Sequence, residues 1–166
     1  IRIDPDYVEA HINLGDAYGE LGKHEEAIKS YKFAIRIDPD YVEAHINLGD
    51  AYSDLGKHEE AIESYKQAIK LDPDDAWPHI NLGVTYDELG KHEEAIESYK
   101  QAIRLDPDDA DAHINLGLTY SDLGKHEEAI ESCKQAIRID PDYADAHDSL
   151  GYAYNLLGKY KEAIES

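Results

Sequence analysis

The sequence predicts an all-α protein, a solenoid of antiparallel helix pairs, and three observations carry that expectation. The pentapeptide His-Ile-Asn-Leu-Gly begins at His11, His45, His79 and His113, so the chain repeats itself every 34 residues. Self-similarity at a period of roughly 20 to 50 residues is the mark of stacked repeats, each too small to bury its own apolar faces. Within a period, apolar residues follow helical spacing twice: Ala10, Leu14, Tyr18 and Leu21, then Ala27, Ile28, Tyr31, Ala34 and Ile35. Breakers separate the two sets. Gly22, Gly56, Gly90, Gly124 and Gly158 fall between the helices of a pair, and Pro39, Pro73, Pro107 and Pro141 fall after the second helix.

Taken in order, the chain opens on residues 1–7, whose Ile1-Arg2-Ile3-Asp4-Pro5 matches Ile35-Arg36-Ile37-Asp38-Pro39 and reads as the end of a preceding second helix. Four repeats follow at 8–41, 42–75, 76–109 and 110–143, and a partial one at 144–166, in a single array. Each first helix is expected to start on an acidic cap, with Asp40 and Glu43 at the spacing of a capping box. The third repeat is the exception, because Pro78 has no N–H to give; its first helix is expected to begin one residue later, capped by Asp75 in place of Asp74. Gly15 and Ala27 let the paired helices approach while Leu14, Tyr18 and Tyr31 fill the seam.

Leu14-Gly15, Tyr18, Gly22, Ala27, Tyr31, Ala34 and Pro39, recurring over nearly the whole chain, resemble the tetratricopeptide repeat (TPR). One departure is regular: His11, His45, His79, His113 and His147 stand where that family usually carries a large aromatic residue, which predicts looser or polar packing there. The resemblance implies a right-handed superhelix whose first helices line a concave, partner-binding groove and whose second helices form the outer face.

On that reading the groove face carries Ile12, Asn13, Asp16 and Glu20 and their recurrences. Ile46, Ile80 and Ile114 repeat the first, and Asn47, Asn81 and Asn115 the second. Asp50, then Val84, Leu118 and Tyr152, follow Asp16, while Asp54, Glu88 and Asp122 follow Glu20; Glu43 gives way to Trp77, the only tryptophan. Two roles are open to the asparagine ladder with equal weight. Its amides can pair with the backbone of an extended peptide, so that replacing Asn47, Asn81 and Asn115 together would weaken binding and spare the fold, or they can bridge neighbouring helices. The ladder also resembles that in the groove of O-linked N-acetylglucosamine transferases, although no catalytic domain accompanies it.

The chain has 37 acidic against 16 basic residues, a net charge of −21, and the first helices contain no Lys or Arg. Such a field disfavours nucleic acid, anionic membranes and the carboxylate-gripping mode of chaperone-binding relatives, and it favours basic partners. No run of about 18 apolar residues is present to span a bilayer. A single cysteine, Cys133, at a core position reads as a buried, inert thiol, and with no secretory segment it fits a cytoplasmic setting. The nine histidines keep the repeat's spacing, not a ligand spacing, so no metal is expected, nor a cofactor. Nucleophile–base pairs and phosphate loops are absent, which predicts no enzyme. The expected function is a protein-interaction scaffold that binds an extended basic or basic-apolar segment. The alternatives are the substrate-selecting arm of a larger enzyme such as a glycosyltransferase, or a purely structural repeat. The lack of an initiating methionine points to a fragment, and the truncated terminal repeats are expected to stack end to end.

Overall fold

The computed structural model describes residues 7–158. These residues form nine α-helices and no strand: α1 Val8–Glu20, α2 His24–Ile37, α3 Val42–Asp54, α4 His58–Leu71, α5 Trp77–Glu88, α6 His92–Leu105, α7 Ala110–Asp122, α8 His126–Ile139 and α9 Ala144–Leu156. The remnant at 1–7, apart from Tyr7, and the start of a second helix around Tyr160, Ala163 and Ile164 lie outside the described residues, as do the ends expected to stack. The chain divides into two compact units, Ile1–Thr85 and Tyr86–Ser166.

In the first unit α1 packs on α2, α2 on α3 and α3 on α4. Ala27, Ala34, Ala44, Ala61 and Ala68 have no accessible surface, so the helices close to backbone distance while Ile28, Leu48, Tyr52, Ile62 and Tyr65 fill the space between them. Leu14 and Tyr18 remain half-exposed, whereas their equivalents Leu48 and Tyr52 are buried. In the second unit α6 packs on α7, α7 on α8 and α8 on α9. Its core holds Ala129, Ile130, Cys133, Leu150 and Ala153, and a second cluster joins Ile114, Ala136 and Ala146.

Gly22 shows why the inter-helix turn needs glycine. Its φ is +67°, Gly22 N–H donates to Gly19 O at 2.8 Å, and Lys23 N–H donates to Tyr18 O at 2.8 Å. These are the two bonds that close a helix C-terminus through a left-handed residue. Gly56 repeats them in the first unit, and Gly90 and Gly124 in the second.

The turn after each second helix corrects the expected caps. Asp40 does not cap α3: the helix is preceded by Tyr41, which makes no side-chain cap bond. Asp38 works instead, its Oδ1 accepting from Asp40 N at 3.1 Å and its carbonyl from Tyr41 N at 3.3 Å. An Asp at the first position of a turn with Pro at the second is the favoured arrangement, and it leaves Asp40 inside the turn, too early to reach the helix. Asp72, Asp106 and Asp140 accept likewise through Oδ1 from the N–H of Asp74, Asp108 and Asp142. A true acidic cap stands one residue later than Asp108, at Asp109, whose Oδ1 accepts from Ala112 N at 2.8 Å.

The third repeat behaves as Pro78 requires. Its helix begins at Trp77, where the other first helices begin at the position equivalent to Ala76. Proline occupies the place from which Ala112 donates in the fourth repeat. Asp75 therefore takes the N–H of Trp77 at 2.9 Å, and Pro78 sits fully buried in the first turn.

The histidines that replace the family's aromatic residue close the same turns. His45 Nε2 lies 2.9 Å from Pro39 O, His113 Nε2 3.1 Å from Pro107 O and His147 Nε2 2.9 Å from Pro141 O. Proline has already surrendered one backbone donor, and the imidazole satisfies the carbonyl that remains. His11 lies at a tilt against Phe33, ring centroids 4.3 Å apart. The departure from the family pattern thus exchanges apolar packing for a turn-locking hydrogen bond.

Candidate functional site: the face of the first helices

The predicted face separates into three classes of residue. Ile12, Ile46 and Ile80 in the first unit and Ile114 in the second are buried, which corrects their assignment to the groove. They widen the apolar stripe of each first helix and belong to the core. Asp16, Asn47, Asp50, Asn81 and Val84 in the first unit and Asn115 in the second are half-buried. Asn13, Glu20, Glu43, Asp54 and Trp77 are exposed in the first unit, Trp77 at 51 %; Glu88, Leu118, Asp122 and Tyr152 are exposed in the second.

Asp16, Asn47, Asp50 and Asn81 of the half-buried set form a polar network with buried tyrosines. Asp16 Oδ1 accepts from Tyr31 Oη at 2.8 Å and from Asn47 Nδ2 at 3.1 Å. One period on, Asp50 Oδ1 accepts from Tyr65 Oη at 2.7 Å and from Asn81 Nδ2 at 2.9 Å. Each carboxylate therefore ties its own second helix, through tyrosine, to the following first helix, through asparagine. The bridging role holds for Asn47 and Asn81, whose amide nitrogens donate within the protein. Burial pushes the Tyr31 phenol well above its ordinary range, and the bond to Asp16 adds to the effect. Asp50 is also raised: burial disfavours its charge more than the bonds from Tyr65 and Asn81 restore it.

In the third repeat the acid moves one helical turn. Val84 occupies the place of Asp50, and in the second unit Asp87 receives Tyr99 Oη at 3.3 Å together with the hydroxyl of Thr119. In the fourth repeat Leu118 and Ser121 stand at the two acid positions, and the tyrosine has become Cys133. Where no carboxylate remains, the phenol is gone. Burial drives the Cys133 thiol up to about 11, so it stays protonated and inert near neutral pH. Comparing Asp16, Asp50, Asp87 and Leu118 with Tyr31, Tyr65, Tyr99 and Cys133 is the signal that reveals this coupling in the sequence.

Two clefts open on the first unit's face. One, of about 190 Å³, is lined by Asp16, Gly19, His24, Tyr31, Asn47, Asp50 and Asp54. The other, of about 260 Å³, is lined by Asp50, Ser53, Asp54, Tyr65, Trp77, Asn81 and Val84. His24 Nδ1 lies 3.0 Å from Asp54 Oδ2, close enough for an ion pair when protonated but not aligned as a hydrogen bond. Lysines of the second helices are occupied elsewhere: Lys32 lies over the Tyr52 ring at 5.2 Å, and in the second unit Lys100 over Tyr120 at 5.7 Å and Lys134 over Tyr154 at 5.4 Å.

The fold has counterparts among known proteins. Residues 6–166 match the TPR family described as the cilia and flagella-associated protein 70 C-terminal domain. The chain belongs to this TPR family. No curated protein matches it. Among solved structures it is similar to MamA, with 34 % identity and a TM-score of 0.85 over 95 % of this chain and 86 % of that one. TTC0263, a thermophilic TPR protein of Thermus thermophilus, shares 26 % identity, with a TM-score of 0.76 over 96 % and 87 %. YrrB, a TPR protein with an unusual peptide-binding site, shares 21 % identity and the fold, with a TM-score of 0.77 over 98 % and 84 %.

The network sets two measurable expectations. Asn81→Ala removes a donor from the half-buried Asp50, and its expected cost is about 1 kcal/mol of folding stability, read by urea denaturation. A variant as stable as the parent would show that the bridge contributes nothing. The second concerns pH. His92 Nδ1 lies 2.9 Å from Asp87 Oδ1, and that bond raises the imidazole above its ordinary 6.5 despite opposing burial, with Asp122 and Glu93 adding to it. A raised folded-state value means stability that is present below 6.5 and is lost as pH climbs through the folded value. Raised Asp50 acts in the same direction at lower pH, from the carboxylate range upward, because folding favours its protonated form. The melting temperature should therefore rise on acidification from about pH 8 to about pH 6, and His92→Asn should flatten that slope. An unchanged slope in the variant would remove His92 from the account.

Proposed function

We propose that this TPR chain is a protein-interaction scaffold whose first-helix face holds an extended basic or basic-apolar segment, and that it catalyses no reaction itself. The fold is one that supports protein–protein interaction. The finer reading rests above all on the cleft that exposed Trp77 and half-buried Val84 line together with Asp50 and Asp54. A cationic side chain entering there meets carboxylates on one side and an aromatic face on the other, and both attract it. No Lys or Arg of the first helices competes for the place. That YrrB, with the same fold, carries a peptide-binding site supports a peptide as the class of ligand.

Trp77 is the only tryptophan, so its fluorescence reports the cleft directly. Titration with an Arg-rich, partly apolar peptide should shift or quench the emission, while an acidic peptide of equal length should not. Affinity should fall several-fold between about 0.01 M and about 0.15 M salt, as the Debye length shortens from about 30 to about 8 Å. A response that ignores salt, or one shared by the acidic peptide, would overturn the electrostatic reading.

A further inference from the structure

The two clefts of the first unit are copies of one another a single period apart, and the difference between them specifies more about the ligand than its charge. Asp16, Gly19, Tyr31, Asn47 and Asp50 line the upstream cleft at the positions that Asp50, Ser53, Tyr65, Asn81 and Val84 hold downstream. Upstream, carboxylates come from both first helices, Asp16 from α1 and Asp50 with Asp54 from α3. Downstream, Asp50 and Asp54 of α3 oppose Val84 and the half-exposed indole of Trp77 on α5. The upstream cleft suits a compact or planar cation alike. The downstream cleft suits a planar one, because a guanidinium can lie on the indole while its edge meets the carboxylates, which an ammonium cannot do.

The separation of the clefts selects the backbone that can fill both. Asn47 reaches Asp16 at 3.1 Å and Asn81 reaches Asp50 at 2.9 Å, so two short side chains suffice to span successive first helices. Helices in such contact lie about 8–10 Å apart. A β-strand, rising about 3.3 Å per residue with side chains alternating, offers same-face positions about 6.6 or about 13 Å apart. Polyproline II rises about 3.1 Å per residue with three residues per turn, so positions i and i+3 share one face about 9 Å apart. Of the two, the second comes closer to the usual spacing of packed helices.

We propose that the first unit reads a polyproline-II-like segment carrying two cationic residues three positions apart, of which the one in the downstream cleft is arginine. This rests on the reading of the face as a surface for basic segments. It adds a register and a conformation.

The test uses the whole chain and a set of synthetic peptides, so no variant needs to fold. Each peptide carries two arginines in a proline-rich spacer, at i and i+2, i and i+3, or i and i+4, with one composition throughout; a single-arginine peptide serves as reference. Binding is read from Trp77 fluorescence and checked by calorimetry. The i, i+3 peptide should bind about tenfold more tightly than the other two, which should match the single-arginine peptide. Replacing the two arginines of the i, i+3 peptide by lysine one at a time should weaken binding at one position and leave the other nearly unchanged. Equal affinity at all spacings overturns the register while leaving the basic-segment reading in place. Failure of every arginine peptide to bind overturns both.

Discussion

Gly49→Ala should destabilise the protein by about 2 to 3 kcal/mol, whereas Gly19→Ala should stabilise it by about 0.5 to 1 kcal/mol. Both glycines lie in first helices of the same compact unit, and an ordinary helix-propensity argument would give both substitutions the same favourable sign. Packing separates them. A Cβ on Gly49 would stand 2.5 Å from Tyr65 Cε1 and 2.7 Å from its Cδ1, and Tyr65 is fully buried with its hydroxyl held 2.7 Å from Asp50. The ring cannot retreat without giving up that bond. A Cβ on Gly19 meets nothing within 4 Å. Urea denaturation at unchanged m-value reads both. Two substitutions of the same sign would show that the tyrosine ring does not need the glycine beneath it.

The coupling between tyrosine and acid leads to a second large effect, a reversal of preference at position 133. Cys133 lies over Gly117, with Sγ 3.1 Å from where a Cβ would be, as Tyr31 lies over Gly15 and Tyr65 over Gly49. With Leu118 in place, Cys133→Phe should be more stable than Cys133→Tyr by about 1 to 3 kcal/mol, the cost of a buried hydroxyl without a partner. With Leu118→Asp added, the order should invert, because the carboxylate then stands where Asp16 and Asp50 accept from their tyrosines. Four urea melts decide the matter. The same preference in both backgrounds would mean that the loss of Tyr and Asp together in the fourth repeat is not a coupled change.

Much of this is legible in the sequence because repetition supplies its own comparison. The helix pairs, the glycine turns and the late start of α5 follow from apolar spacing, from the positions of glycine and proline, and from the missing N–H of Pro78. The choice between the acids flanking each proline is not legible. Asp38 and Asp40 are chemically alike, and only the turn's backbone decides that the first is used. Sequence reasoning places Ile12 and its recurrences on the wrong face because a stripe boundary on a helix is set by what packs against it, and that neighbour lies a period away. The asparagine ladder can be read either way for the same reason: an amide shows its donors in the sequence but not the carboxylate 31 residues upstream that receives them.

The Tyr–Asp–Asn bridges also bear on how the chain reaches its folded form. A Tyr–Asp pair spans 15 residues and an Asp–Asn pair 31, and the hydrogen bonds from Thr119 to Asp87 and from Tyr143 to Asp111 join partners 32 apart. Loop-closure entropy is thus incurred in small instalments whose size is set by the period and not by chain length. Folding rates follow contact order, so a chain wired this way should collapse quickly from whichever helix pair forms first and then grow by accretion of neighbours. Its unfolding should be graded as well. Amide hydrogens should exchange in successive zones, and the slowest should be those of second helices tethered by a phenol to a half-buried carboxylate, with the helix carrying Cys133, which has no phenol at that position, exchanging ahead of its counterparts.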